Sequence, residues 1–175
     1  MTMKWWDDTW LNESFAQWMD AKITAAVEPS WKFGRVGLDR AAYAMQADSL
    51  ASAKRMRQPV QSPEDILDAF DGALTYDKGA SVITMIEHAV TPAVWQKTVR
   101  GYLHEHAWKS AASDDFTAAL RAVAGADAAA SFSSFLDQPG VPLVTAPRAG
   151  WPTLWSRSRS ARPAARPPRR AWKRS

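Results

Sequence analysis

WWDDTWLNESFAQWMD, Trp5 to Asp20, holds the feature from which the rest of the chain can be read: an acid set among tryptophans. If the stretch is helical, Glu13 shares a side with Trp6 and Trp10, seven and three residues before it, and with Ala16, three after. A carboxylate on such a face must be solvated, paired or bound to a metal, because burying it alone costs several kcal/mol. Spacing leaves two readings open, a half-exposed glutamate at the rim of a core helix and a metal ligand.

Outward from that stretch the pattern is helical almost throughout the first 147 residues. Asp7 or Asp8 can cap the first helix, which runs through Met19, Ile23 and Ala26 until Pro29 ends it. A second helix is expected from Trp31 to about Ala53, with Phe33, Val36, Leu38, Ala42, Tyr43 and Met45 as partial core. Ser62-Pro63-Glu64-Asp65 reads as a cap, a proline at the first helical position and acids in the first turn, opening a short helix through Ile66, Leu67 and Phe70. Val82, Ile83, Met85, Ile86 and Val90 suit a buried helix face. Thr91-Pro92 caps a helix from Ala93 to about His106, Ser113-Asp114-Asp115 caps another that Gly125 closes, and a last short helix covers Ala128 to Leu136. Val141 to Thr145 reads as a strand without partners.

The formal charge of +4 conceals two kinds of polypeptide. From Arg148 to Ser175 there are eight Arg, one Lys and no acid; the remainder holds the other 13 basic residues and all 18 acids. The boundary near residue 147 separates a helical body, 1–147, from an Arg/Pro-rich tail, 148–175, whose composition predicts disorder. Clustered Arg with Trp can contact phosphates and stack on bases. The competing reading of the tail, an out-of-frame or read-through end, makes nucleic acid an improbable partner. There are no cysteines, so disulfides and thiolate metal sites are excluded. No apolar run reaches the length of a membrane span and no signal peptide leads the chain, which as it stands suggests a cytoplasmic place.

The residues carry a further signal. Trp10-Leu11-Asn12-Glu13, followed by Phe15 and Ala16, resembles the WLNEGFA segment of the aminopeptidase N family of zinc metallopeptidases, the gluzincin aminopeptidases, with Ser14 where glycine is commoner. Phe70-Asp71 followed by Tyr76-Asp77-Lys78-Gly79-Ala80 is similar to the family's FDxIxYxKGA segment, with one extra residue between Asp71 and Tyr76. The resemblance covers about residues 2 to 146 and implies a mainly α fold, the helical part of a thermolysin-like catalytic domain. It implies that Glu13 is the third protein ligand of a catalytic zinc and that Tyr76 hydrogen-bonds the oxyanion of the tetrahedral intermediate. Read without it, Tyr76 is an ordinary interfacial tyrosine. In the intact family, which removes N-terminal residues from peptides, a zinc-bound water deprotonated by the Glu of HExxH attacks the scissile carbonyl.

The same resemblance defines what this sequence lacks. HExxH should end eighteen residues before Glu13, but only twelve residues precede it. His104-Glu105-His106 is no substitute, because positions two apart on a helix point to different faces, and His88 stands alone. The expectation is therefore a fragment of a zinc aminopeptidase, inactive alone, whose missing ligands come from an upstream part that is possibly separately encoded. The alternative is a non-catalytic helical protein with a basic tail that binds an acidic partner.

Overall fold

The computed structural model describes residues 1–142; the basic tail over 148–175, the boundary at 147 and most of the strand expected over 141–145 lie outside the described residues. Seven helices and one pair of very short strands make up the described part. In chain order they are β1 (Thr2–Met3), α1 (Thr9–Val27), α2 (Gly34–Asp48), α3 (Pro63–Asp68), a π-helical turn (Gly72–Lys78), α4 (Gly79–Val90), α5 (Pro92–Glu105), β2 (Ser110–Ala111), α6 (Ser113–Ala124) and α7 (Ala126–Asp137). Among the described residues, no helix is long and apolar enough to cross a membrane.

The core is aromatic. Phe116 of α6 is fully buried and is ringed by Phe15, Trp95, Tyr102 and Phe132, with centroids 5.1 to 5.7 Å away and every pair near edge-to-face. That geometry sets the positive ring edge against the negative face and adds to the burial of area itself. Trp10, Leu11, Ser14 and Trp18 bring α1 into this cluster, at the 3–4 residue spacing that keeps one helical stripe inward.

Local signals place several elements as expected. Ser62 accepts from the Asp65 amide and Asp65 accepts from the Ser62 amide, a complete capping box for α3, with Pro63 at the first position. Pro92 opens α5, and Gly125, at φ +95°, separates α6 from α7.

Other elements differ from the sequence reading. Asp8 does not cap α1: a 3-10 turn over Trp6–Asp8 precedes the helix, and the buried Asp8 carboxylate instead accepts from the Ser113 amide and hydroxyl, more than a hundred residues away. It thereby satisfies a free N–H at the start of α6. α2 starts at Gly34 and ends at Asp48, shorter than expected at both ends. Its assumed core residues Leu38, Tyr43 and Met45 are exposed, while Ala44 and Asp48 are buried. The small side of the helix packs inward because the turn over 72–78 lies close against it. α3 ends at Asp68, leaving Leu67 and Phe70 exposed.

The parallel pairing of Thr2 with Ser110 and Met3 with Ala111 is too short to show as an alternating pattern. Lys4 extends it by an ion pair to Asp115 at 3.0 Å, while Asp115 also accepts from the Ala112 amide at 2.8 Å. Those contacts, the amide first, hold the Asp115 carboxyl below its ordinary value. A lowered pKa means stability that is complete above the unfolded value of about 3.9 and is lost as pH falls through the folded one. Urea midpoints of the native chain and Asp115→Asn should therefore converge below about pH 4 and separate above it. A gap independent of pH would contradict this account.

Candidate functional site

α1 presents Glu13 beside its buried stripe rather than on it. Trp10 and Ser14 face inward, and Glu13 and Gln17, one turn apart, form the half-buried border. Of the residues expected to share a face with Glu13, Trp10 is in the core while Trp6 and Ala16 are exposed. That border looks onto the π-helical turn.

The turn is built from both ends. The Asp71 carboxylate accepts from the amides of Ala73 and Leu74 at 2.8 and 2.9 Å, a cap made by a side chain of the right length two to three residues upstream. Thr75 is held three ways: its amide donates to Asp71 O, its hydroxyl to Ala69 O, and its carbonyl accepts from Ser14 Oγ at 2.7 Å. A π turn closes i→i+5 bonds and so holds one residue more than an α turn. The extra residue seen between Asp71 and Tyr76 is accommodated in that widened turn. Gln17 donates to Asp77 at 2.8 Å, fixing the residue after Tyr76 to α1.

Glu13 and Tyr76, separated by 63 positions in sequence, are thereby brought together. The Tyr76 phenol is raised above its ordinary pKa, first by burial, then by the Glu13 carboxylate, which takes up the phenolic proton as an acceptor and repels the phenolate. At neutral pH the phenol is protonated and offers one directed donor.

Two further features lock the turn in place, and the sequence reading assigned neither. Lys78 and Asp48 form a buried ion pair at 2.8 Å, their side chains 8% and 4% exposed. Lys78 also donates to Gln138 O at 3.2 Å, and Asp48 accepts from the Gly140 amide at 2.9 Å, so the pair ties the end of α2 and the π turn to the segment after α7. Gly79 lies where α4 crosses α1, and a Cβ built on it would stand 1.8 Å from Ser14 Oγ. Both belong to the Tyr76–Ala80 motif, which was the available signal; their partners Asp48 and Ser14 come from distant segments and carried none.

The donor set decides what the site can hold. Catalytic zinc ordinarily takes three protein ligands and a water. Here Glu13 is one carboxylate, and among the described residues no three of His, Cys, Asp or Glu come together. His88 Nδ1 pairs with Thr84 O, His106 lies against the Tyr102 ring, and His104 is exposed on α5, so none joins Glu13. The described residues do not by themselves fit a catalytic zinc.

Comparison with known proteins agrees with the motifs. The chain is 36% identical over 146 residues to Aminopeptidase M1 of Arabidopsis thaliana, covering 83% of this chain and 16% of that protein. It is 32% identical over 151 residues to Aminopeptidase N of Lactococcus lactis subsp. lactis, covering 83% and 17%. The chain thus spans about a sixth of the length of these relatives. Its fold superposes on an M1 zinc metallopeptidase of Deinococcus radiodurans, crystallised as a mutant with a Tyr-Ser-Ala substrate, with a TM-score of 0.66 over 81% of this chain and 30% of that one, at 17% identity. The seven helices are therefore the helical part of such a peptidase domain. Since the Peptidase family M1 domain also matches residues 1–138 directly, this chain belongs to that family, the aminopeptidase N-type zinc metallopeptidases.

Proposed function

We propose that this chain supplies two groups to a zinc aminopeptidase site, Glu13 as a metal ligand and Tyr76 as the oxyanion donor, for removing N-terminal residues from peptides. The observation that carries the reading is the contact of the Tyr76 phenol with the Glu13 carboxylate, made by two motifs far apart in the sequence. Each residue has its task. Glu13 is half-buried beside an apolar stripe, where little water competes for its charge. Tyr76 holds its proton and, set on a turn pinned on both sides, gives a preorganised donor to an oxygen that gains negative charge. The two histidines and the general base are not among residues 1–175, and the reaction requires them from elsewhere.

Residues 1–175 alone are expected to bind zinc weakly and to leave aminoacyl amides intact, with or without added zinc. Joined to an HExxH-bearing segment of a related aminopeptidase N, the chain is expected to hold one tight zinc and to turn over. Glu13→Ala then removes the tight metal, whereas Tyr76→Phe keeps it and lowers kcat by about 10²–10³, the cost of one oxyanion donor. Metal analysis and an aminoacyl-amide assay read both. Activity of the chain alone that survives purification and vanishes in both variants would show another ligand set completing the site. Tight zinc retained by Glu13→Ala in the joined protein would remove Glu13 from it.

A further inference from the structure

We propose that Ser14 is a positioning residue, whose hydroxyl clamps the turn carrying Tyr76 to the helix carrying Glu13. The inference rests on reading Glu13 and Tyr76 as one site, and the argument is geometric. Ser14 follows Glu13 directly and is fully buried. Its hydroxyl donates to the carbonyl of Thr75, the residue directly before Tyr76, at 2.7 Å. The bond therefore joins the two neighbours of the pair, and the tether between Glu13 and Tyr76 through it is a few covalent bonds on each side. Gln17 to Asp77 is a second tether one turn further along α1, but Asp77 is half-buried and Gln17 sits at the border, so water competes for that bond. The Ser14 bond is the dry one.

A hydroxyl is needed here for a local reason. Within a helix a serine hydroxyl commonly folds back on its own carbonyl four residues earlier. At Ser14 it leaves the helix instead, because Gly79 brings α4 close enough to offer the Thr75 carbonyl. A glycine at 14, commoner in the sequences this stretch resembles, leaves the approach possible and the tether absent. Ser14 thus exchanges some of the turn's freedom for a fixed distance between phenol and carboxylate.

The test uses isotopically labelled chain and needs neither zinc nor turnover, so its failure is separable from failure of the proposed activity. Ser14→Ala and Ser14→Gly are compared with the native chain by three NMR readouts: the cross-peak between the Tyr76 ring and the Glu13 side chain, the cross-peaks inside the Phe116 cluster, and amide exchange. Loss of the clamp should weaken the Tyr76–Glu13 cross-peak and leave the Phe116 cluster unchanged. Exchange at Tyr76 and Asp77 should speed up by about tenfold over that of the α5 and α6 amides, as for the opening of one buried hydrogen bond. A merely structural serine would lower protection of all amides by a common factor and leave the cross-peak intact. That outcome, or native behaviour in both variants, would overturn the proposal. Should Ser14→Ala fail to fold, Ser14→Gly, which only removes atoms from the crossing, gives the same reading.

Discussion

Lys78→Ala is expected to lower the stability of the folded chain by about 3–5 kcal/mol, measured as a shift of the urea midpoint at constant slope. The size follows from what is left behind rather than from what the ion pair itself contributes. Asp48 would remain 4% exposed with a full negative charge and only the Gly140 amide facing it. Gln138 O would lose its donor as well. A surface pair would give a fraction of this, because water takes over at once. Replacing both partners with Lys78→Met and Asp48→Leu should recover part of the loss, since two apolar groups leave no naked charge. Recovery should stop short of the native value, because the Gly140 amide and the Gln138 carbonyl would both be unpartnered. A loss below about 1 kcal/mol for Lys78→Ala would mean that the pair is solvated.

Gly79→Ala is expected to cost about 2–3 kcal/mol, at the upper end of overpacking. In an ordinary helix the change would be favourable by about 0.5–1 kcal/mol, as alanine is the better helix former. At Gly79 the new carbon would meet Ser14 Oγ at 1.8 Å, Ser14 Cβ at 2.6 Å and Met56 Cε at 3.0 Å. The methionine end can swing away; a serine Cβ fixed to α1 cannot, so the helices must part. Removing the obstacle tests the cause: Ser14→Gly added to Gly79→Ala should restore most of the loss, a coupling that independent sites would not show. Unchanged destabilisation in the double variant would place the strain elsewhere.

What the sequence made legible was what short-range chemistry settles. The capping box of α3, the proline at the head of α5 and the break at Gly125 each rest on residues within four positions of one another. Glu13 and Tyr76 were legible for a different reason, since each sits in a motif specific enough to be recognised by resemblance. Their closeness was then an expectation from two separate segments, and the structure places them in contact.

The rest depended on partners that no local pattern names. α2 carries large apolar groups on one side and small ones on another; periodicity marks both as helical but cannot say which side meets the body. The exposed Leu38, Tyr43 and Met45 show that large side chains lost to Ala44 and Asp48 because a close neighbour admits only small ones. Asp8 was read as a cap for the helix just after it, by proximity in sequence. Its carboxylate reaches Ser113 instead, and such a choice between a local and a distant N–H is decided only by packing.

The widened turn over Gly72–Lys78 has a consequence for how this segment tolerates change in length. One residue added to a regular helix rotates everything after it by about 100°, which would carry lysine, glycine and the whole inward stripe of α4 off their partners. The π geometry swallows the added residue as a local swelling, and the phase of the helix beyond is preserved. The turn acts as a vernier between two rigid scales: spacing on one side can slip by a unit while alignment on the other stays true. Length variation that would break a helix elsewhere can in this place be neutral to the fold, and the register of Lys78 and Gly79 is a better guide to the segment than its distance from Asp71.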